Sequence, residues 1–453
     1  MCPEEIRRQL FYLIVRQLPL IFVVCGHGAK KRRRDFFYEN VIYTKYAKGA
    51  IMDNIKLLSN LKNTTDSKIL LFILDGLGGI PGKDGKTELE TAHTPNMDAL
   101  AAKGASGLID TVGRGITPGS GPGHLGIFGY DPHEFLIGRG ALEAAGIGFD
   151  LTRDDVAMRF NFCTLDTDGN ITDRRAGRIA TEINEQLVAK MKDVSIPGVE
   201  IFVHTVKEHR GIAVFRKAGL KGNLRDTDPQ KLGVPPLKAE TSDNGESSEM
   251  ADIANQWLAQ VYEIIKDDAP ANCILTRGWC NYPDIPSYQD AFGLNPACVA
   301  LYPMYRGVAM FAGMKVYTEG ITDFATKTNV LTDVWNDHDF FFFHYKHTDS
   351  AGEDADFDRK VACIEEFDSA LPCMLDLNPD VVAITGDHST PAVYGAHSWH
   401  PVPVVMSGKF VRPDNVTAFG ETAAAAGGLG RFNGCYLINE LLAAAEKLQK
   451  YGA

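Results

Sequence analysis

The sequence lacks the features that mark membrane-spanning and disulfide-rich proteins. No stretch reaches the roughly 20 consecutive apolar residues that a transmembrane helix needs. The nine cysteines are odd in number, and no two have the CxxC spacing of zinc ribbons and redox motifs. These absences argue against a membrane-spanning protein and against a disulfide scaffold, and they favour a reducing, cytoplasmic environment.

An excess of basic residues is also missing, because 46 Lys and Arg face 58 Asp and Glu, for a formal net charge of -12. Binding to nucleic acid or to an anionic membrane depends on Lys and Arg that neutralise phosphates, so neither partner is expected. A small anionic substrate is still compatible with this charge if arginines cluster locally. The sequence is compatible with a homo-oligomer but does not decide the oligomeric state.

Residues 1–51 differ in amino-acid composition from the rest of the chain. They contain the apolar stretch LFYLIVRQLPLIFVV, which Arg16, Gln17 and Pro19 interrupt, and then the basic block KKRRR. Three interpretations stay open: a divergent targeting peptide, a genuine N-terminal extension, or upstream sequence translated ahead of a start at Met52. The third is favoured, because Met52 lies a short amphipathic stretch ahead of the first convincing strand.

Three apolar runs each end in an aspartate: KILLFILDG with Asp75, DFFFFHYKHTD with Asp349, and DVVAITGDHSTP with Asp387. Continuous apolar runs of this length are typical of strands that are buried on both faces of a parallel sheet. Ligands of such sheets bind at the carboxyl ends of the strands. The pattern therefore predicts an α/β fold whose functional groups meet at one edge of the sheet.

The chain has 453 residues and an ordinary composition, which suggests two domains. A helix is predicted in TPNMDALAAKG, where Thr94 caps, Pro95 occupies the first turn and Gly104 ends the helix. Between about 150 and 313 the elements become shorter, and LRDTDPQKLGVPPLKAETSDNGESS is predicted to be a surface loop. We therefore expect a core formed by 68–139 plus 314–453 and a second domain, 150–313, inserted into it.

The residues at and after the strand ends are of the types that bind metal ions. Asp75, Asp349, Asp387, His388 and His397 are oxygen and nitrogen donors suited to Mn, Mg or Zn. Each aspartate alone is more often explained as a helix cap or turn former. Capping does not explain the set, in which GDHSTP is followed by HSWHPVPV, so a centre of two divalent ions that assists phosphoryl transfer is the favoured interpretation.

A nucleophile is predicted at Ser120 in GITPGSGPGHLGIFGYDP. The surrounding glycines allow the backbone to approach a phosphate closely, and a serine at the start of a helix presents its hydroxyl beside backbone donors. Coordination to a metal would activate the hydroxyl without a histidine base. The alternative is a flexible Gly-Pro loop in which Ser120 is only a helix cap.

Several longer motifs resemble one enzyme family. They are LDGLGG, TPNMDALA, PGSGPGHLGIFGYDP, GRGALEAAGIG, DRRAGR, MYRGVA and the pattern K-x-TD-x-AG-x-D. Their order from residue 68 to the C-terminus is similar to that of the archaeal-type 2,3-bisphosphoglycerate-independent phosphoglycerate mutases of the alkaline phosphatase superfamily. The resemblance implies an alkaline-phosphatase-like core with a mostly parallel sheet and an inserted smaller α+β domain. It also implies an isomerase of glycolysis and gluconeogenesis that interconverts 3-phosphoglycerate and 2-phosphoglycerate through a phosphoserine, without added bisphosphoglycerate.

The resemblance also implies a set of site residues. One ion would be held by Asp75, Ser120, Asp387 and His388; Mn or Mg is favoured, and Zn or Co stays open. A second ion would be held by Asp349, Glu353 and His397. Glu353 stands in AGED where the family has a histidine, which should give that site a harder, more negative character.

Substrate contacts follow from the same resemblance. Ser120, Asp173 and Lys346 would be catalytic, with Asp173 as general acid and base, and substrate would be bound by His124, Arg139, Arg174, Arg178 and Arg306. Arginine forks suit carboxylate and phosphate groups, although a solvated charged loop explains DRRAGR as well. Histidines without an assigned partner are expected to be structural: His338, His344, His347 and His400. Lys207, His209, Arg210 and Arg277 match the family pattern without an assigned role.

Two other functions stay open at this point. A phosphomonoester hydrolase of the same superfamily would share the metals and Ser120 but release the alcohol. A non-catalytic binding protein would retain the fold after losing a complete second metal site, and Glu353 is the feature that favours it.

Overall fold

A computed structural model describes residues 54–82 and 84–452. The three interpretations of residues 1–51 lie outside these described residues. Within the described ranges, no helix combines the length and the apolar character needed to cross a membrane.

The strands of the described residues form two separate sheets. In chain order they are β1 Ile69–Leu74, β2 Ala105–Asp110, β3 Asp155–Leu165, β4 Ile171–Asp173, β5 Glu200–Lys207, β6 Arg210–Arg216, β7 Cys273–Asn281, β8 Pro296–Val299, β9 Lys315–Tyr317, β10 Phe340–Tyr345, β11 Val381–Thr385, β12 Val402–Gly408 and β13 Gly430–Asn433.

Helices separate most of these strands. The α-helices are 54–61, Glu88–Thr91, Pro95–Lys103, Ser120–Ile127, Arg139–Gly146, Thr181–Met191, Ser248–Ile265, Tyr288–Phe292, Pro303–Phe311, Phe324–Asp333, His347–Glu353, Phe357–Leu375, Glu421–Ala424 and Leu437–Ala444. Short 3₁₀ helices lie at Ala176–Arg178, Trp335–Asp337 and Gly434–Tyr436.

The larger sheet has eight strands in the order β13-β2-β12-β11-β1-β10-β8-β9. All are parallel except β12, which pairs antiparallel with β11 and β2. Every residue of β1, β10 and β11 is buried, because helices cover both faces of the sheet. The three predicted strands and the α/β class with a mostly parallel central sheet are thus confirmed.

The predicted helix in TPNMDALAAKG is also confirmed, as Pro95–Lys103 with Gly104 at its C-terminal cap. Thr94 occupies the N-cap position, but its side chain makes no capping hydrogen bond. The segment LRDTDPQKLGVPPLKAETSDNGESS contains no strand or helix before residue 248, apart from an isolated bridge between Leu224 and Thr241. That predicted loop is therefore confirmed as well.

The smaller sheet is antiparallel throughout. β3 lies between β6 and β7, β5 extends the sheet beyond β6, and β4 pairs with the end of β3. A second hydrophobic core joins this sheet to the helices Thr181–Met191 and Ser248–Ile265. All five strands fall inside the range 150–313 that was predicted to be inserted. β8 also falls inside that range, yet it pairs with β10 in the larger sheet, so the chain returns to that sheet before residue 314. The division into domains stays a proposal.

Candidate metal and phosphoryl-transfer site

The candidate site lies where the central strands of the larger sheet end. β1 is flanked by β10 and β11, and all three are parallel. Asp75 follows β1 directly, Asp349 follows β10, and Asp387 and His388 follow β11. The sheet order therefore brings together residues that are more than 300 positions apart in the sequence, as the sequence pattern predicted.

One group of potential metal ligands consists of Asp75, Asp387 and His388, all with 0% exposure. Nε2 of His388 lies 3.3 Å from Oδ1 of Asp75 and 3.2 Å from Oδ2 of Asp387. The backbone N–H of Gly76 donates to Oδ1 of Asp387 over 3.1 Å and fixes that carboxylate. Three ligand atoms thus face one small volume.

Ser120 completes this group at the start of the helix Ser120–Ile127, with its Oγ 3.1 Å from Nε2 of His388. The helix can approach the β11 loop only because Gly123 lacks a side chain: a Cβ there would lie 2.3 Å from the carbonyl oxygen of Asp387. The glycine-rich sequence is therefore a packing requirement that places the serine hydroxyl among the predicted ligands.

A second group consists of Asp349, His388 and His397. Nε2 of His397 lies 3.5 Å from Oδ1 of Asp349, and the rings of His397 and His388 are stacked with centroids 3.6 Å apart. Nδ1 of His397 lies 2.9 Å from the carbonyl oxygen of Pro118. A carbonyl can only accept, so Nδ1 carries the hydrogen and Nε2 offers its lone pair to the site.

Glu353 lies at the edge of this second group rather than inside it. Its side chain is 57% exposed, and its Oε1 is 3.8 Å from Nε2 of His397. Because the side chain is exposed and ends the helix His347–Glu353, it can reach toward the group without being held in it. Its role as a ligand stays a proposal.

The residues of both groups fit divalent cations. Two carboxylate oxygens, Oδ1 of Asp75 and Oδ2 of Asp387, are fully buried and have no well-oriented hydrogen-bond donor among the described residues. Burial alone would raise the pKa of Asp75, but His344, His388 and Lys346 together hold it well below its usual value. Burial opposes the charge on His388, yet Asp387 and Asp75 raise its pKa to about 9. Buried carboxylates that remain ionised and face imidazole nitrogens form a hard oxygen and nitrogen donor set.

Lys346 reaches the same carboxylates from the cleft. Its Nζ lies 3.0 Å from Oδ2 of Asp75 and donates to Asp349, and the two carboxylates raise its pKa although burial opposes this. It also lines a cavity of about 520 Å³ whose walls include Lys207 and Arg210 of the smaller sheet. A cationic cavity thus adjoins the candidate ligands.

A second, smaller cavity of about 140 Å³ is lined mainly by arginine. Its walls contain Arg139, Arg159, Asn161, Arg174, Arg175, His209, Arg210 and Arg277. Burial lowers the pKa of Arg139, and the charges of Arg159 and Arg277 lower it further, which shows how closely the cations are crowded. Arg210 lines both cavities, so one guanidinium borders both positive regions.

Some of the arginines in this cavity form ion pairs with carboxylates. Arg174 makes a bidentate pair with the buried Asp228, at 2.9 and 2.6 Å, and Arg159 pairs with Glu143 at 2.9 Å. The six arginines outnumber the acidic residues paired with them. The cavity is therefore suited to a small anion.

Comparison with known proteins gives the family. A family model described as 2,3-bisphosphoglycerate-independent phosphoglycerate mutase matches residues 101–272. A Thermus thermophilus protein named "probable 2,3-bisphosphoglycerate-independent phosphoglycerate mutase" is 48% identical over 407 residues, covering 89% of this chain and all of the relative. The chain belongs to this family. An Aquifex aeolicus protein of the same name is 44% identical and covers 88% of this chain and all of its own length.

Solved structures agree with this membership. The cofactor-independent phosphoglycerate mutase from Thermoplasma acidophilum has a TM-score of 0.64 and 30% identity, with 84% of this chain and all of that chain covered. A Pyrococcus horikoshii protein has a TM-score of 0.74 and 33% identity, with 87% of this chain and all of that chain covered. The family resemblance predicted from the motifs is confirmed.

Some residues predicted to contact substrate lie elsewhere. His124 is completely buried behind Ser120, where its Nδ1 is 3.2 Å from Oδ2 of Asp387, so it cannot reach a ligand in either cavity in this structure. Asp173 accepts backbone N–H groups on both oxygens, from Arg175 and Gly177, each at 2.7 Å. The aspartate therefore shapes the DRRAGR loop, because its two oxygens close the turn.

Two of the predicted arginines are also outside the cavity walls described above. Arg178 is exposed, and Arg306 lies beside Cys298 of β8, where burial lowers its pKa. Arg139 and Arg174 do line the arginine cavity, as predicted. Arg210, Arg277 and His209, which had no assigned role, line it too.

Three residues at the site were missed by the sequence reasoning. Tyr305 donates its hydroxyl to Asp75, Arg159 joins the arginine cavity, and Thr390 contacts two candidate ligands. His344, expected to be structural, lies 3.4 Å from Asp75 and stacks on Tyr305 with centroids 3.8 Å apart. Among these, Thr390 carried a usable signal, because it follows His388 in the GDHSTP motif.

Proposed function

We propose that this protein is a cofactor-independent phosphoglycerate mutase that interconverts 3-phosphoglycerate and 2-phosphoglycerate. One observation carries the proposal: the hydroxyl of Ser120 lies among buried acidic and imidazole ligands, beside a cavity lined by Lys346 and Arg210, and Arg210 also lines the arginine cavity. Membership in the mutase family supports the same reaction.

Two divalent cations fit the site, one with Asp75, Asp387, His388 and Ser120 and the other with Asp349, His397 and Glu353. When bound, they would lower the pKa of the serine hydroxyl and neutralise the phosphate oxygens. Mn or Mg suits this donor set best, because the carboxylates are hard ligands.

The chain's own residues determine the rest of the reaction. Oγ of Ser120 forms a bond to phosphorus while the bond between phosphorus and the C3 oxygen breaks, and the C3 oxygen takes up a proton. The 2-hydroxyl oxygen then forms a bond to phosphorus and loses its proton, while the bond between phosphorus and Oγ breaks and returns Ser120 to the deprotonated form in which it attacked. Because one proton is gained and one is lost, a single group can carry it both ways.

Lys346 and Asp173 are the two candidates to carry this proton. The ammonium of Lys346 lines the larger cavity and lies within 3.0 Å of Asp75. Asp173, the sequence-based candidate, has both oxygens engaged by backbone N–H groups. Both residues would have to change these contacts to carry a proton: burial opposes the charge on Lys346, but Asp75 and Asp349 hold its ammonium and raise its pKa, and the DRRAGR backbone holds Asp173.

Retention of the glycerate distinguishes a mutase from a phosphatase. The substrate's carboxylate matches the bidentate forks of Arg139, Arg159 and Arg277 in the arginine cavity. A glycerate held there can present either hydroxyl to the phosphoserine while water is kept out. The sequence-based expectations of a cytoplasmic location and of binding to neither nucleic acid nor membranes stay predictions.

An enolase-coupled assay with purified protein tests the proposal. With Mn²⁺ and without added bisphosphoglycerate, 3-phosphoglycerate should be converted, and release of inorganic phosphate should be negligible. Ser120→Ala should reduce turnover at least about a hundredfold, because a methyl group cannot attack phosphorus. Ser369→Ala, on an exposed helix face, is the matched control and should keep full activity.

Two outcomes would reject the proposal. Phosphate release that equals substrate consumption would identify a phosphomonoester hydrolase. Absence of turnover in a folded, metal-loaded protein would identify a non-catalytic binding protein.

A further inference from the structure

The hydroxyl of Thr390 lies between the two groups of potential metal ligands. Its Oγ1 donates to Oδ1 of Asp349 over 2.8 Å and lies 2.9 Å from Nδ1 of His388. Asp349 belongs to one group, and His388 takes part in both. Thr390 itself has 0% exposure and therefore cannot contact a substrate.

The hydrogen count of this hydroxyl fixes which ring nitrogen of His388 keeps its hydrogen in the neutral form, the form that a metal ligand takes. An ionised carboxylate only accepts, so the single hydrogen of Thr390 must point to Asp349. Oγ1 of Thr390 can then only accept from Nδ1 of His388, which must carry a hydrogen. In the neutral imidazole this leaves the lone pair on Nε2, the atom that lies 3.1 Å from Ser120 and 3.2 Å from Asp387.

The backbone holds Thr390 in place independently of its side chain. Its N–H contacts the carbonyl oxygens of Gly76 and Gly78 at 3.3 and 3.1 Å. Its own carbonyl accepts from the buried Nζ of Lys360 over 2.9 Å. Removal of the hydroxyl should therefore leave the loop in position, so the function of the hydroxyl can be tested separately.

We propose that Thr390 is a positioning residue that orients Asp349 and selects the His388 tautomer with a free Nε2, so that one hydroxyl prepares both metal sites. This inference rests on the metal sites of the proposed function. Removal of a group that hydrogen-bonds to a metal ligand and orients it typically lowers metal affinity by about 10- to 100-fold.

Calorimetric titration of metal-free protein with Mn²⁺ tests the proposal. Thr390→Val should weaken both binding events by about 10- to 100-fold. Thr390→Ser keeps the hydroxyl and should bind within about threefold of the wild type, since the hydrogen bonds can re-form. Thr385→Val is the matched control, because that buried hydroxyl donates to the carbonyl of Pro403 over 2.9 Å, and Pro403 is not a candidate ligand.

NMR of the histidine rings supplies a readout that a loss of packing would not produce. In Mg²⁺-loaded, ¹⁵N-labelled protein, the Nδ1–H signal of His388 should be protected from exchange in the wild type and in Thr390→Ser. It should exchange rapidly in Thr390→Val. If that variant does not fold by circular dichroism, Thr390→Ala replaces it in both experiments.

The possible outcomes separate the two proposals. Wild-type protein that binds no divalent cation contradicts the metal sites of the proposed function. Wild-type protein that binds two ions while Thr390→Val binds them equally tightly overturns the role of Thr390. Weakening of one ion only would also overturn it, because the shared hydroxyl must affect both sites.

Discussion

Lys327 gives the protein a pH-dependent stability that can be worked out from its surroundings. The residue lies on the helix Phe324–Asp333, is 5% exposed, donates to the carbonyl oxygen of His344, and has its Nζ 4.3 Å from the centroid of the Phe343 ring. Burial lowers its pKa from 10.5 to about 7, because the apolar surroundings disfavour the ammonium form.

The sign of the effect follows from proton binding. Between pH 10.5 and about 7 the unfolded chain binds the proton of Lys327 and the folded protein does not, so stability falls as pH falls through this window and is constant below it. Each pH unit changes the free energy of unfolding by at most about 1.4 kcal/mol, which gives a total on the order of 5 kcal/mol.

Lys327→Met removes the titrating group while retaining a flexible apolar side chain. The variant minus wild-type difference in unfolding free energy should rise by several kcal/mol between pH 10 and pH 7, and then stay constant to pH 6. Urea unfolding of both proteins at each pH gives this difference, in which the titration of all other groups cancels. A difference that does not change with pH would refute the reasoning, because Lys327 would then titrate alike in both states.

Three further predictions concern the site and its supports. Glu353→Ala should weaken the binding of one metal ion and lower turnover, and high Mn²⁺ should restore part of the activity, whereas Glu353→His should shift the metal preference towards Zn²⁺ or Co²⁺. Metal titrations of activity check both variants, and unchanged metal affinity in Glu353→Ala would show that Glu353 is not a ligand. Arg159→Ala should destabilise the fold by about 3 kcal/mol, because it leaves Glu143 buried without its partner. In thermal unfolding, the double variant with Glu143→Gln should recover part of that loss, and a single variant as stable as the wild type would contradict this. Gly123→Ala should impair metal binding and activity, because its Cβ would lie 2.3 Å from the carbonyl oxygen of Asp387; normal Mn²⁺ affinity would show that the loop can move at little cost.

The ligands at the strand ends could be predicted because their signal is local. Strands buried on both faces leave long apolar runs in the sequence, and the residue after each run must lie at the carboxyl edge of the sheet. Asp75 and Asp387 were found in this way. A helix starting at Ser120 was expected from the serine in its glycine-rich turn, and the structure shows why glycine is needed there: a Cβ at Gly123 would lie 2.3 Å from the carbonyl oxygen of Asp387.

The positions of other site residues depend on which side chains the folded protein buries, and a local sequence pattern does not give that information. His124 was expected at the substrate, but packing places it behind Ser120. Tyr305 and Arg159 contact their partners only because distant segments pack together, at Asp75 and Glu143 respectively. β8 has four residues, which is too short for a periodic signal, so the return of the chain to the larger sheet was placed too late.

The most direct test of the account is a double-label experiment on the product. A mixture of unlabelled 3-phosphoglycerate and 3-phosphoglycerate labelled with ¹³C in the glycerate and ¹⁸O in the phosphate is converted, and the 2-phosphoglycerate is analysed by mass spectrometry. If Ser120 holds the phosphoryl group while the glycerate stays bound, each product molecule carries both labels or neither. Product molecules with only one label, or ¹⁸O released as inorganic phosphate, would contradict the account.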